Sequence, residues 1–256
     1  AASMLDALET ISRDCFHSFG VLRDTVVIDD ADATGAITTL PITFFNGIGT
    51  TQFDQADADR RVDELIARFG KPFRWWILPT SQPSNLREIL ERHGLRHVYD
   101  SAGMTLDLAH LAQPPQGIIE RVVDDAQMHV FADVLTTVFE RPKSDIDIWT
   151  SAYGQIGYDR DWAHFIAYDE GKPVATASVL MCGDVAGIYL VGTLKEARGR
   201  GLGTAATLAA LHYGRERGAR VAALQSSAIG ESVYHGMGFV SHGVMPMYEW
   251  RYNAAP

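Results

Sequence analysis

From residue 118 onward, the hydrophobic positions fall into short β-prone runs alternating with longer helical ones. Ile118 to Val123 predicts a strand, and Asp124-Asp125 then offers capping oxygens ahead of a helical stretch from Ala126 to Phe139. Trp162–Tyr168 and Val174–Met181, joined by Asp169-Glu170-Gly171-Lys172-Pro173, predict a hairpin. Val185 to Leu194 is apolar almost throughout, the pattern of a strand buried on both faces. An Ala- and Leu-rich helix is expected from Gly203 to Arg217, stopped by Gly218. A strand at Val221–Ser227, a short helix around Ser232–Met237 and a further run from Phe239 complete the pattern.

The first half is less regular. Strands are expected at Thr25–Asp29, Ile37–Phe45 and Phe73–Leu78, the last stopped by Pro79. Helices are expected at Ala56–Phe69, which is amphipathic, and at Leu86–His93, ended by Gly94. The polar, Pro/Gly-rich stretch Leu111 to Gly117 separates the halves, giving expected domains of 1–112 and 117–256. The fold class is α/β (α+β mixed), with helices packed on mixed sheets.

Composition narrows the function classes. With 46% hydrophobic and 21% charged residues, the 256-residue chain has ample material for a core. No apolar run approaches the roughly 18 to 20 residues needed to cross a bilayer. No charged-then-apolar leader is visible, so a cytoplasmic protein without membrane partners is expected. The net charge of −10 disfavours nucleic acid and suits a cationic substrate such as an amine. Cys15 and Cys182 match no metal-ligand spacing and are expected as buried free thiols, with a disulfide or a Cys nucleophile as alternatives. His110, His129, His212 and His235 share no ligand spacing, so no metal is expected.

Chemistry concentrates where the buried strand runs through Lys195-Glu196-Ala197-Arg198-Gly199-Arg200-Gly201-Leu202-Gly203-Thr204 into a helix. Glycines let backbone turn tightly and approach a ligand, while a helix N-terminus leaves N–H groups unpaired and its dipole favours negative charge. Together they suit phosphate oxygens, with Arg198 and Arg200 as possible added charge. A Walker loop needs Lys where Thr204 stands, and a Rossmann fingerprint needs Gly or Ala one position beyond Gly203. A glycine-rich turn with no ligand is the plain alternative.

Arg198-x-x-Gly201-x-Gly203, following the strand Tyr189–Leu194, resembles the acetyl-CoA-binding motif of the GNAT superfamily of N-acetyltransferases. Val221–Ser227 resembles the family's next strand, and Tyr234-x-x-x-Gly238-Phe239 its closing signature, so the resemblance covers roughly residues 118–252. It implies direct attack of a substrate amine on the thioester of acetyl-CoA, used as co-substrate. It also implies that N–H groups of Gly199, Gly201, Leu202, Gly203 and Thr204 cradle the pyrophosphate. Val191 and Thr193 would bond the pantetheine arm, and the Val191 N–H would stabilise the oxyanion. Tyr234 would be the general acid for the departing thiolate; packing against the sheet is its structural alternative.

Many relatives carry a Glu eleven positions before the first motif residue, where this chain has Gly187. The base is therefore unassigned, with Glu140, His164, Tyr189 and a water chain to Asp145 or Asp147 as candidates. Acceptor contacts are expected from Glu140, Trp149, Tyr153 and Tyr189, an aromatic and acidic set suited to an amine.

The first half is similar to a second, degenerate unit of the same kind, making tandem GNAT-like domains, each with a mixed, mostly antiparallel sheet flanked by helices. Arg74–Pro79 followed by Leu86–Leu95 repeats the pattern of Val221–Phe239, with Leu90 where the acid Tyr would stand. Phe45-Asn46-Gly47-Ile48-Gly49 lacks the Arg and the following helix start. An unrelated small α/β domain is the alternative. The expected function is acetyl transfer to a primary amine of a small molecule by a monomer or homodimer. A different acyl group, a protein amine acceptor and a CoA-binding sensor without turnover are the competing readings.

Overall fold

The computed structural model describes residues 4–113 and 119–251. The expectations at Pro114–Gly117 and at Ile118 lie outside the described residues. The chain forms two compact units, the first comprising residues up to Met104 with Gln225–Ser232 and the stretch from Val240, the second Thr105–Leu224 with Val233–Phe239.

The first unit opens with helix α1 (Met4–Ser18), which buries Leu8, Ile11, Cys15 and Phe16 along one face. Strands β1 (Val26–Asp30), β2 (Ala33–Ile37) and β3 (Gly47–Thr51) follow, then α2 (Ala58–Phe69), β4 (Phe73–Trp76), α3 (Leu86–Arg92) and β5 (Arg96–Asp107). The final strand, β11 (Val240–Trp250), joins this unit although it follows the glycine loop in sequence, and it pairs antiparallel with β4. The sheet order is β1-β2-β3-β4-β11-β5, with β3 and β4 parallel. Its core gathers Ile28, Phe53, Val62, Phe69, Phe73 and Trp75, with the Phe69 and Phe73 rings stacked at 3.9 Å.

The strand expected at Ile37–Phe45 does not form. β2 ends at Ile37, and Thr43–Phe45 is a turn of 3-10 helix. The cause is a side chain competing with the ladder. Fully buried Asn46 accepts from the Thr38 N–H at 2.8 Å and donates to the carbonyls of Leu40 and Ile42. Pro41 has no N–H to offer a neighbouring strand.

The second unit contains β6 (Ile119–Arg121), α4 (Asp125–Val138), α5 (Asp145–Ile156), β7 (Trp162–Asp169), β8 (Lys172–Cys182), β9 (Val185–Thr193), α6 (Leu202–Glu216), β10 (Val221–Ser226) and the end of α7 (Ala228–Gly236). The sheet order is β10-β9-β8-β7-β6, antiparallel except for β10 on β9. Asp124 caps α4 by accepting from the Gln127 N–H, while Gln127 accepts from the Val123 N–H, a reciprocal capping box. The β7–β8 turn carries two left-handed residues, Glu170 and Gly171, at φ 48° and 77°. Helix α6 lies close on the sheet because its contact face is small: a Cβ on Gly214 would stand 2.9 Å from that of Ala186. Both cysteines are buried thiols that form no disulfide. Among the described residues no helix is long and apolar enough to cross a membrane.

Candidate active site

The site grows from an irregularity in β9. Thr176 and Ser178 of β8 face Gly192 and Tyr189, so Ala177 alone faces both Leu190 and Val191. Leu190 takes up the extra residue with φ 52°, a left-handed conformation rare for a leucine. Past the bulge the Leu194 N–H donates to Val174 O on β8. Alternation along the extended strand therefore turns the N–H groups of Thr193 and Val191 to the opposite edge. On that edge the parallel pairing with β10 stops at Gly187–Ala223, and the rest of β9 runs beyond the ladder with its N–H groups presented along it.

The loop that follows is built by its glycines. After a 3-10 turn at Lys195–Ala197, Gly199 and Gly201 adopt φ 74° and 75°, and Gly201 stands at the N-cap of α6 without a side-chain cap. A Cβ at either position would meet nothing within 4 Å, so both border open space that a ligand can enter. The first intrahelical bond runs from the Ala205 N–H to Gly201 O; the N–H groups of Gly201, Leu202, Gly203 and Thr204 precede the helical ladder. Gly203 has a different reason: its Cβ would fall 2.6 Å from Thr193 Oγ1, so glycine is what lets the helix start against β9.

The two arginines are held in place. Arg198 Nε donates to Thr193 O at 3.1 Å, and Arg200 makes a two-pronged ion pair with Asp169 at 2.5 and 2.7 Å. Asp169 thus neutralises much of Arg200, so the backbone N–H groups are the feature of this loop best suited to an anion.

Tyr234 lies on α7, partly exposed, its ring edge-on to Phe239 at 5.5 Å. The turn that closes the signature is fixed by the Phe239 N–H donating to Tyr234 O and by His235 Nδ1 donating to Phe239 O. Loss of hydration pushes the Tyr234 hydroxyl up to about 12, keeping it a protonated phenol at neutral pH.

The remaining candidates separate by environment. Gly187 is buried between Leu180 and Ala223. His164 is fully buried, its Nδ1 2.7 Å from Ser178 Oγ and its ring enclosed by Phe131, Tyr153 and Trp162. Burial drives it down to about 3, so it is neutral and out of substrate's reach. Trp149 and Tyr153 are buried and stacked, while Tyr189 is half-buried with its ring 5.4 Å from Trp162. Asp145 is buried and paired with Arg141 at 3.0 Å, and Asp147 is exposed near His129. Glu140 is exposed just past the end of α4 with φ 51°, where helices usually place glycine. That end of α4 rests on the bulged strand, since a Cβ on Gly192 would fall 2.7 Å from Val138 Cγ1. Sequence reasoning missed Thr176, whose hydroxyl donates to Leu190 O at 2.9 Å; one threonine among many carries no sequence signal. Among the described residues no group of three or more His, Cys, Asp or Glu is arranged to hold a metal.

The first unit has the same strand–helix–strand crossover in β3, α2 and β4, but the equivalent opening is filled. Parallel pairing covers Gly47–Arg74 and Ile48–Trp75. Beyond it, Gln82 N–H donates to Thr51 O at 3.0 Å and Phe53 N–H to Gln82 O at 3.1 Å, so an isolated parallel bridge from the chain itself occupies this edge. Trp75 Nε1 donates to Thr51 Oγ1, and the approach to α2 bears Asp54, Asp57 and Asp59 in place of glycines.

The comparisons agree with this arrangement. Residues 129–239 match the model of the acetyltransferase (GNAT) family. A GCN5-related N-acetyltransferase from Kribbella flavida superposes with TM-score 0.71 at 18% identity, over 94% of this chain and 95% of its own. A GCN5-related N-acetyltransferase from Sphaerobacter thermophilus gives 0.60 at 17% identity, over 98% and 94%. A tandem GNAT protein from the clavulanic acid biosynthesis pathway gives 0.59 at 15% identity, over 98% and 94%. No curated protein matches the sequence.

Proposed function

We propose that this chain, whose residues 129–239 match the model of the acetyltransferase (GNAT) family, transfers an acetyl group from acetyl-CoA to the primary amine of a small molecule by direct attack. The observation that carries the reading is the junction of bulge and loop. The turned-out N–H groups of β9 lead directly into two left-handed glycines and the open N-terminus of α6.

In this reading the N–H groups of Gly199, Gly201, Leu202, Gly203 and Thr204 hold the pyrophosphate. Val191 and Thr193 pair with the pantetheine arm as a strand edge would. The acceptor nitrogen attacks the thioester carbonyl, whose oxygen gains charge and is stabilised by the Val191 N–H, a contribution of about 3 kcal/mol for a well-placed donor. The C–S bond then breaks, and Tyr234 gives its proton to the leaving thiolate. Tyr234's raised pKa supports the acid role, because the donor form persists throughout the neutral range.

Glu140 is the acceptor-side residue of this proposal. It is charged, exposed and just past the end of α4 that rests on the bulged strand, its left-handed backbone closing the helix through the Arg141 N–H bond to Thr136 O. Trp149 and Tyr153 are buried and stacked on each other, and Tyr189 is half-buried against Trp162, so in this reading they shape the acceptor side from within the fold. The protein is proposed to act without metal, nucleic acid or membrane, in the cytoplasm.

The deciding assay measures thiol release from acetyl-CoA against a panel of small amines, with peptide N-termini and lysines as a second panel. Turnover confined to small amines supports the proposal. Turnover confined to peptides, or with a longer acyl-CoA only, replaces it. Tight CoA binding without turnover on either panel refutes it.

A further inference from the structure

The left-handed conformation at Leu190 has to be held by something, because an L side chain avoids that region and no glycine relieves it. The neighbour placed to hold it is Thr176. It is fully buried on β8, its β-branched side chain has little rotamer freedom, and its hydroxyl donates to Leu190 O at 2.9 Å. The peptide unit joining Leu190 to Val191 is planar and trans, so its C=O and N–H point in opposite directions. Whatever fixes the Leu190 oxygen toward β8 also fixes the Val191 N–H toward the open edge of β9. A hydrogen bond received by the carbonyl further polarises the same amide and strengthens its N–H as a donor.

We propose that Thr176 is a positioning residue for acyl transfer: through its bond to Leu190 O it aims the Val191 N–H at the thioester oxygen. The inference rests on the reading of Val191 as the oxyanion donor. Thr176 touches no substrate atom itself, and it acts on the charge that develops during the reaction rather than on donor binding. The hydroxyl therefore governs kcat more than the KM for acetyl-CoA.

The test compares Thr176→Val, which keeps the shape and removes the hydroxyl, with Thr176→Ser, which keeps the hydroxyl. Thr176→Val is expected to lower kcat about tenfold to a hundredfold. The KM for acetyl-CoA and the affinity for free CoA should stay within about twofold, because the loop and α6 are untouched. Thr176→Ser should recover most of the rate. Replacing Leu190 with glycine removes the need for restraint, so Leu190→Gly in the Thr176→Val background should recover part of it. Should Thr176→Val fail to fold, Thr176→Ala compared with Thr176→Ser carries the same comparison. An unchanged kcat in the hydroxyl-less variant, or a rise in KM equal to any loss in kcat/KM, overturns the proposal. A wild-type protein that turns over no amine refutes the proposed function instead, so the two failures are distinct.

Discussion

Replacing Gly201 with alanine isolates the backbone requirement of the proposed donor loop. The residue sits at φ 75°, and a Cβ there would meet nothing within 4 Å, so neither a clash nor a lost contact enters. What is left is the cost of an L residue in the left-handed region, about 1–2 kcal/mol. Alanine also restricts the unfolded chain, which offsets about 0.4–1 kcal/mol of the global effect. Global stability should therefore fall by about 1 kcal/mol, a Tm shift of about 2–4 °C for a chain of this size. The loop is freer to relax than the fold. If it escapes the strain by leaving the left-handed conformation, the binding-competent fraction drops by the local cost, and the KM for acetyl-CoA rises about 5- to 30-fold. Gly201→Asn, which tolerates this region better, should fall between wild type and alanine. Steady-state kinetics with varied acetyl-CoA, alongside thermal unfolding, measures both effects. Unchanged KM in the alanine variant would refute the reasoning that the left-handed loop shapes the donor site.

Tyr234→Phe should lower kcat about a hundredfold while leaving donor affinity intact. The phenol is raised from about 10 in the unfolded chain to about 12 in the fold, so its stabilising preference is complete below pH 10 and is lost as pH rises through 12. The alkaline limb of kcat owed to this residue is expected near 12; a limb near 10 that vanishes in the Phe variant would contradict that environment. Glu140→Gly should separate stability from function, raising the Tm by about 2–4 °C as left-handed strain is relieved and raising the acceptor KM at least fivefold. A variant that is more stable and equally active removes Glu140 from the acceptor site. Calorimetric titration should find one acetyl-CoA per chain, because the counterpart slot of the first unit is paired by Gln82; a stoichiometry of two would mean that this segment can be displaced.

The glycine loop before α6 was legible in the sequence as a turn because it depends on glycine, whose two left-handed positions, 199 and 201, have no common substitute. The hairpin turn at Glu170-Gly171 and the capping of α4 by Asp124 were legible for similar reasons, each a local rule satisfied by neighbouring residues. The bulge was not. Leu190 adopts a glycine-like conformation without glycine, held by a threonine fourteen positions away in sequence. The error at Ile37–Phe45 arose from Asn46, whose side chain satisfies backbone groups that β-propensity assigns to a ladder. Helix α1 went unread, and the filled slot of the first unit depends on contacts between Thr51 and Gln82, which no local pattern announces. Burial finally distinguished candidates that look alike in one dimension: His164 is sealed among aromatic rings, whereas Glu140 is exposed.

The pairing of β11 with β4 sets a schedule for biosynthesis. Trp76 must wait for Met247, about 170 residues later, before that ladder can close. At ribosomal speeds of about 5–20 residues per second the interval is roughly 10–30 s. During it β4 offers an open edge beside the apolar face that Tyr248 will cover, the kind of surface that chaperones bind and aggregates recruit. The half of the protein made first is thus completed last, and a nascent chain stalled before residue 240 should present its first unit, rather than its second, as the incomplete one.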